Sequence, residues 1–310
     1  MGQRISGLIK AVGQPGGVNL GESAILQQTV DMFKAKVVRV NKLLRKKAID
    51  IGVASGVIRS HKGYQKFIIM GMPRSGSNFL ASSLRSRRNI VAYGELFSEQ
   101  SRKRRDILWD TPGYETTRKA LRLRDKDPIA FLESMVFKRM PAYVEAVGFK
   151  LFYHHADENW QCVWPYLKAQ DVKVIHLKRR NYLKVFLSMS NAMRTRQFVS
   201  RNSEKSSQQP ITLDYNKCLD WFEMTRAWET KFDTYFDDSL EIYYEDLAKD
   251  YTKNMRTIQE YLNVRVGETQ SPLRQQARLP LNKAITNYAE LKSRFASSEW
   301  AEFFECGKQA

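Results

Sequence analysis

The sequence predicts an α/β fold, a three-layer sandwich with a central parallel sheet, preceded by a helical amino-terminal extension. Two observations carry this expectation. From residue 66 onward, short apolar runs bounded by turn residues alternate with stretches of helical periodicity, the pattern of a parallel sheet covered by helices. The runs that read as strands are 66–71, 90–93, 147–152, 172–178 and 240–244. The residue types able to do chemistry gather at the carboxyl ends of those runs, where such sheets bind ligands. With 310 residues, 43% apolar and 12% aromatic, the chain has ample material for the core of one large domain.

Residues 1–65 form a basic extension, with eleven Lys and Arg against three Asp and Glu. It begins Gly-rich through Gly21. Leu26, Val30, Phe33, Val37, Val40 and Leu44 then alternate spacings of four and three, the one-face pattern of an amphipathic helix. Lys34, Lys36, Arg39, Lys42, Arg45, Lys46 and Lys47 accompany the stripe. Packing on the following domain or on a partner helix is the simplest use of that face; peripheral contact with an anionic membrane surface is the sharper alternative. No run of 18 apolar residues and no signal-peptide core occurs, and the cysteines, Cys162, Cys218 and Cys306, form no framework. The expectation is a bacterial-type cytoplasmic protein, with peripheral attachment at the inner membrane surface left open.

The domain proper, 66–310, opens on KFIIMGMPRSGSNFL, a strand running through Gly71-Met72-Pro73-Arg74-Ser75-Gly76-Ser77-Asn78 into a helix-like segment. A loop between a buried strand and a helix start directs backbone N–H groups and the positive end of the helix dipole at one spot, so it binds anions. This makes the sandwich P-loop-like. A Walker A loop, however, needs Lys and Ser or Thr after its second glycine, and here those places hold Ser77 and Asn78. ATP with Mg²⁺ fits poorly, and the loop's cation, Arg74, sits in its middle. The bland alternative is a tight glycine-containing turn.

Pro73-Arg74-Ser75-Gly76-Ser77 resembles the 5′-phosphosulfate loop, P-[KR]-[ST]-G-[ST], of the sulfotransferases that use 3′-phosphoadenosine 5′-phosphosulfate (PAPS). The resemblance implies that Arg74, Ser75, Gly76, Ser77 and Asn78 hold the donor's 5′ end. A second match lies at VKVIHLKRR, residues 172–180, followed by Asn181 and an apolar-periodic helix. In the resembled family an Arg at the end of such a strand and a Ser eight residues later hold the nucleotide 3′-phosphate; Arg180 and Ser188 have that separation. Eight helical residues span about 12 Å, a nucleotide-sized reach. The carboxyl-terminal stretch 274–304 resembles the nodulation-factor type, whose late basic segment closes over the nucleotide, with Arg278 and Lys283 as candidates.

Tyr93-Gly94-Glu95-Leu96-Phe97 follows the second strand. Sulfuryl transfer to an alcohol needs a base within hydrogen-bond reach of the hydroxyl. In the glycan-sulfating branches a Glu at this place is that base, and the nodulation-factor type sulfotransferases carry a similar G-E-L segment. Arg74 and Glu95 are therefore the catalytic candidates. His154 and His155, at the outer end of the strand with Lys150, compete for the base role. Otherwise these three line the acceptor or donor pocket. The two histidines lack the companions of a zinc site, and no metal is expected.

Between the second and third strands lies an insertion, 98–146, with the basic run Arg102-Lys103-Arg104-Arg105 and a helix capped by Asp127-Pro128. It is expected to shape the acceptor pocket. The polar stretch 202–209 reads as a loop, 215–236 as a long helix, and Tyr244-Glu245-Asp246-Leu247 as a segment that fixes a strand-to-helix turn. A net charge of +18 predicts attraction to anions. No nucleic-acid-binding signature accompanies it, so the expected partners are a carbohydrate or glycolipid acceptor, acidic ones included; a homo-oligomer is compatible with the sequence. Taken together, the residues and the resemblance predict a PAPS-dependent carbohydrate sulfotransferase working by in-line displacement. A P-loop-type kinase or nucleotide-binding module with a degenerate loop, and a non-enzymatic polyanion-binding protein, are the alternatives.

Overall fold

The five main strands are short, apolar and rich in β-branched and aromatic residues, and both faces of the sheet are covered, as parallel sheets require. In the computed structural model, residues 48–98, 118–156, 159–195, 209–271 and 279–305 are described, together with Thr29, Asp31, Val37, Asn41 and Leu44. The strands β2 (Gln65–Gly71), β3 (Ile90–Glu95), β5 (Ala146–Phe152), β6 (Lys173–Lys178) and β7 (Ser239–Tyr243) pair in the order β3-β5-β2-β6-β7, every pair parallel. A separate antiparallel pair, β1 (Ser60–His61) with β4 (Met140–Pro141), was not expected from the sequence.

Alternation along β2 shows how the layers form. Ile68 and Met70 face one apolar cluster and Phe67 and Ile69 the other, all fully buried. On the first face lie the helical run α3 (Pro128–Phe131) with a π-turn at Leu132–Val136, α4 (Val163–Ala169) and the end of α6 (Tyr215–Asp233). On the second lie α1 (Ser77–Arg85), α7 (Tyr244–Lys249) and α8 (Tyr251–Tyr261). A third cluster joins α5 (Tyr182–Thr195) and α6 to the carboxyl-terminal helices α9 (Leu281–Ala284) and α10 (Tyr288–Phe295).

Two devices order the insertion, and the second ties it to the end of β3. Asp127 caps α3, its carboxylate accepting from the Ala130 N–H at 2.8 Å with Pro128 in the first helical position. On α2 (Arg118–Lys126), fully buried Arg124 donates to the Leu96 carbonyl at 2.8 Å and to Asp125, and lies over the Trp160 ring. The arginine thereby holds the chain immediately after Glu95.

Three expectations change. β3 runs two residues further than expected, so Glu95 ends the strand instead of following it. The long helix stops at Asp233, three residues early. Val37 and Leu44 are helical but 42% and 59% exposed, so at those positions the stripe does not pack on the sandwich. Its other members, the run 102–105, the stretch 202–208 and Arg278 lie outside the described residues.

Candidate active site

The anion loop is shaped by two glycines. Gly71 ends β2 at φ 155°, and a Cβ there would lie 2.3 Å from the Leu177 carbonyl oxygen on β6. Gly76, at φ 99°, precedes α1, and a Cβ there would lie 2.2 Å from the Tyr244 ring. Between them Arg74 is itself left-handed, at φ 68°, a conformation uncommon for a side-chain-bearing residue. Ser75 is buried, and its Oγ has no hydrogen-bond partner among the described residues. A buried hydroxyl left without a partner is costly, and here it sits in the loop beside the helix start, where α1 leaves its first N–H groups without intrahelical acceptors. An anionic donor group fits this arrangement.

Around the loop the side chains converge. Arg74 Nε donates to Ser188 Oγ at 3.1 Å, linking the loop to α5. Burial lowers the Arg74 pKa, with the charge of Glu95 acting in the opposite sense. Lys150, almost wholly buried on β5, donates to Asn78 Oδ1 at 2.5 Å and to Glu95 Oε1 at 3.1 Å. Glu95 stands opposite Lys150 in the strand register, after an irregularity in β3 between Ala92 and Glu95. One buried ammonium thus connects the anion loop to the candidate base, whose side chain keeps 23% of its surface exposed.

The strand end at β6 has a different character. Arg179 is buried and donates to Glu245 at 2.7 Å with its guanidinium over the Tyr244 ring. Arg180 points into solvent, its guanidinium over the Tyr243 ring and both terminal nitrogens on Asp246, at 2.8 and 2.6 Å. That ion pair, through its hydrogen bonds first, raises the Arg180 pKa and lowers that of Asp246. Ser188, expected beside Arg180, makes its hydrogen bond to Arg74.

The histidines divide. His154 is exposed and stacks on Trp228 at 6.0 Å. His155 is buried, its Nδ1 accepting from the Phe152 N–H at 3.2 Å and its carbonyl from Trp164 Nε1 at 3.0 Å. Burial, and then the charges of His154 and Lys150, push the His155 imidazole well below its ordinary pKa, so it stays neutral and serves the turn.

Sequence reasoning placed Lys150 near a pocket without its partners, and it gave Tyr244-Glu245-Asp246 only a turn. The one trace of the second in the sequence is an acidic pair directly after the last expected strand. Among the described residues no helix is long and apolar enough to cross a membrane.

Comparison with known proteins gives the family. The sequence pattern of the sulfotransferase family matches residues 66–268. Nodulation protein H of Rhizobium meliloti (strain 1021) is 28% identical over 250 residues, covering 78% of this chain and 95% of its own. Nodulation protein H of Rhizobium tropici is 27% identical over 256 residues, covering 80% and 96%. Among solved structures, mouse sulfotransferase SULT7A1 complexed with PAP is 18% identical and covers 81% of this chain and 78% of its own, with a TM-score of 0.38. The matched span covers well over half of the sequence, and the chain belongs to the sulfotransferase family.

Proposed function

We propose that this sulfotransferase moves a sulfuryl group from PAPS to a hydroxyl of a carbohydrate or glycolipid, with Glu95 as general base and no metal requirement. The observation that carries the reading is the path Asn78–Lys150–Glu95, which ties the anion loop to a partly exposed carboxylate through one buried ammonium. The donor supplies an activated sulfuryl group and a bisphosphate leaving group. The chain supplies positioning and fixed positive potential, as in phosphoryl transfer. Arg74 and the loop N–H groups face charge that develops on the leaving side, with Ser75, Gly76, Ser77 and Asn78 forming the cradle. Arg180 and Ser188 anchor the nucleotide. Glu95 takes the hydroxyl proton, and Lys150 keeps that carboxylate in register with the loop. The family's glycan-sulfating branch, with its Glu base, is what directs the acceptor toward sugars, and Lys150, His154 and the insertion line its approach.

Separate calorimetric titrations with 3′,5′-bisphosphoadenosine (PAP) and with Mg-ATP test the donor. Saturable, metal-independent binding of PAP is expected, and a preference for Mg-ATP would overturn the reading in favour of a kinase. Mass spectrometry of surface glycans with and without the gene identifies the acceptor; sulfation unchanged on every glycan would remove the carbohydrate assignment.

A further inference from the structure

Two neighbouring carboxylates on α7 hold the two arginines that follow β6, in different ways. Glu245 and Arg179 are 10% and 7% exposed, and the second Glu245 oxygen also accepts the Arg180 backbone N–H at 3.2 Å. Removing either partner would leave a buried charge uncompensated, so this pair is a fixture. Asp246 and Arg180 are 48% and 40% exposed. An exposed pair of this kind contributes little net stability and exchanges partners readily.

The geometry of the exposed pair is the geometry of anion recognition. Asp246 presents two oxygens to the two terminal nitrogens of the guanidinium, the same fork that a phosphate would occupy. A phosphate dianion carries more charge than a carboxylate and competes well for it. The Tyr243 ring, 4.4 Å from the guanidinium, supports Arg180 whichever partner it has. Tyr244, on the same turn, packs against Gly76 of the anion loop, so the segment that supplies the competing carboxylate is fixed against the other end of the site.

We propose that Asp246 is a displaceable counter-anion for Arg180: it competes with the 3′-phosphate of the bound nucleotide and retakes the guanidinium as the bisphosphate product leaves. This rests on the two-anion reading of the site given above. It adds a device for release, the step at which a product more highly charged than the acceptor would otherwise linger.

The test compares PAP with adenosine 5′-monophosphate, which lacks the 3′-phosphate, by calorimetry and stopped-flow dissociation. Asp246→Asn keeps the shape and removes the charge. It is expected to tighten PAP about fivefold, the size of an exposed ion pair converted to affinity, through slower dissociation, while the monophosphate is unchanged. Asp246→Ala is expected to change PAP in the same direction. Weaker PAP binding, or equal change for both nucleotides, would overturn the proposal, because a carboxylate that merely shapes the turn predicts those results. The two levels of inference separate cleanly. Should the unsubstituted protein bind both nucleotides alike, the two-anion reading fails. Should it prefer PAP while Asp246→Asn leaves that preference unaltered, only the role of Asp246 fails.

Discussion

Glu95 and Lys150 show what one side chain contributes and how far it was legible. The carboxylate was readable because it stands at a strand end beside a recognisable anion loop. Its contact with Lys150 was not, since it depends on the strand register and on the irregularity between Ala92 and Glu95, neither of which leaves a mark in residue type. Ser188 was found by spacing, yet its partner in the structure is Arg74, 114 residues earlier, a contact that no local spacing encodes. Glu95→Gln keeps the acceptor oxygen for Lys150 and removes the basicity. We expect turnover to fall by about a thousandfold, within the range for loss of a general base, with PAP affinity retained in the calorimeter. Full turnover in that variant would remove Glu95 from the mechanism.

At the scale of the element, the loop and the turn at α7 act as one unit. Gly76 is required twice, by its left-handed backbone and by the Tyr244 ring against it. Gly76→Ala should therefore destabilise the fold by about 2 kcal/mol, the range for a strained backbone site, and should abolish PAP binding. Adding Tyr244→Ala relieves the contact and leaves the backbone strain. Partial recovery of the melting temperature in the double variant separates the two causes; no recovery would assign the whole effect to φ. The strands and the helix cap were legible because short apolar runs bounded by turn residues and Asp-Pro punctuation are local signals. The seam that joins the carboxyl-terminal segment to α5 was not, because it is built from contacts distant in sequence, such as Asn181, just before α5, donating to the carbonyl of Phe303, beyond α10, at 3.0 Å.

At the scale of the whole molecule, a partly buried polar network behind β6 makes stability depend on pH. Tyr153 and Asp233 flank His176, Lys178 bridges Asp233 and Glu241, and Tyr182 donates to Glu229 at 2.7 Å. Burial, reinforced by Asp233 and Glu241, raises Glu229 to about 7. Between its ordinary pKa and 7 the native state holds a proton that the unfolded chain has released. Stability is therefore lost as pH rises through that window. Burial, with Lys178, lowers His176 to about 3, so its contribution has the opposite sign and is lost as pH falls below 6.5. Glu229→Gln should raise stability at pH 8 by about 2 kcal/mol and leave it unchanged near pH 4.5, measured as thermal denaturation at both values. Equal stabilisation at the two would show a packing effect. The sheet order was legible only as a parallel class, since periodicity does not say which strands are neighbours.

That order has a consequence during synthesis. β2 is an early strand, but both of its neighbours come much later: Gly71 pairs with Phe152 on one side and with Leu177 on the other. A ribosome adding about 5–20 residues per second needs roughly 5–20 s to deliver the second neighbour. Until β5 is made the run Phe67-Ile68-Ile69-Met70 has no strand partner, and until β6 is made one of its edges stays open. The strand that leads into the anion loop therefore completes its pairing only after more than a hundred further residues have been made.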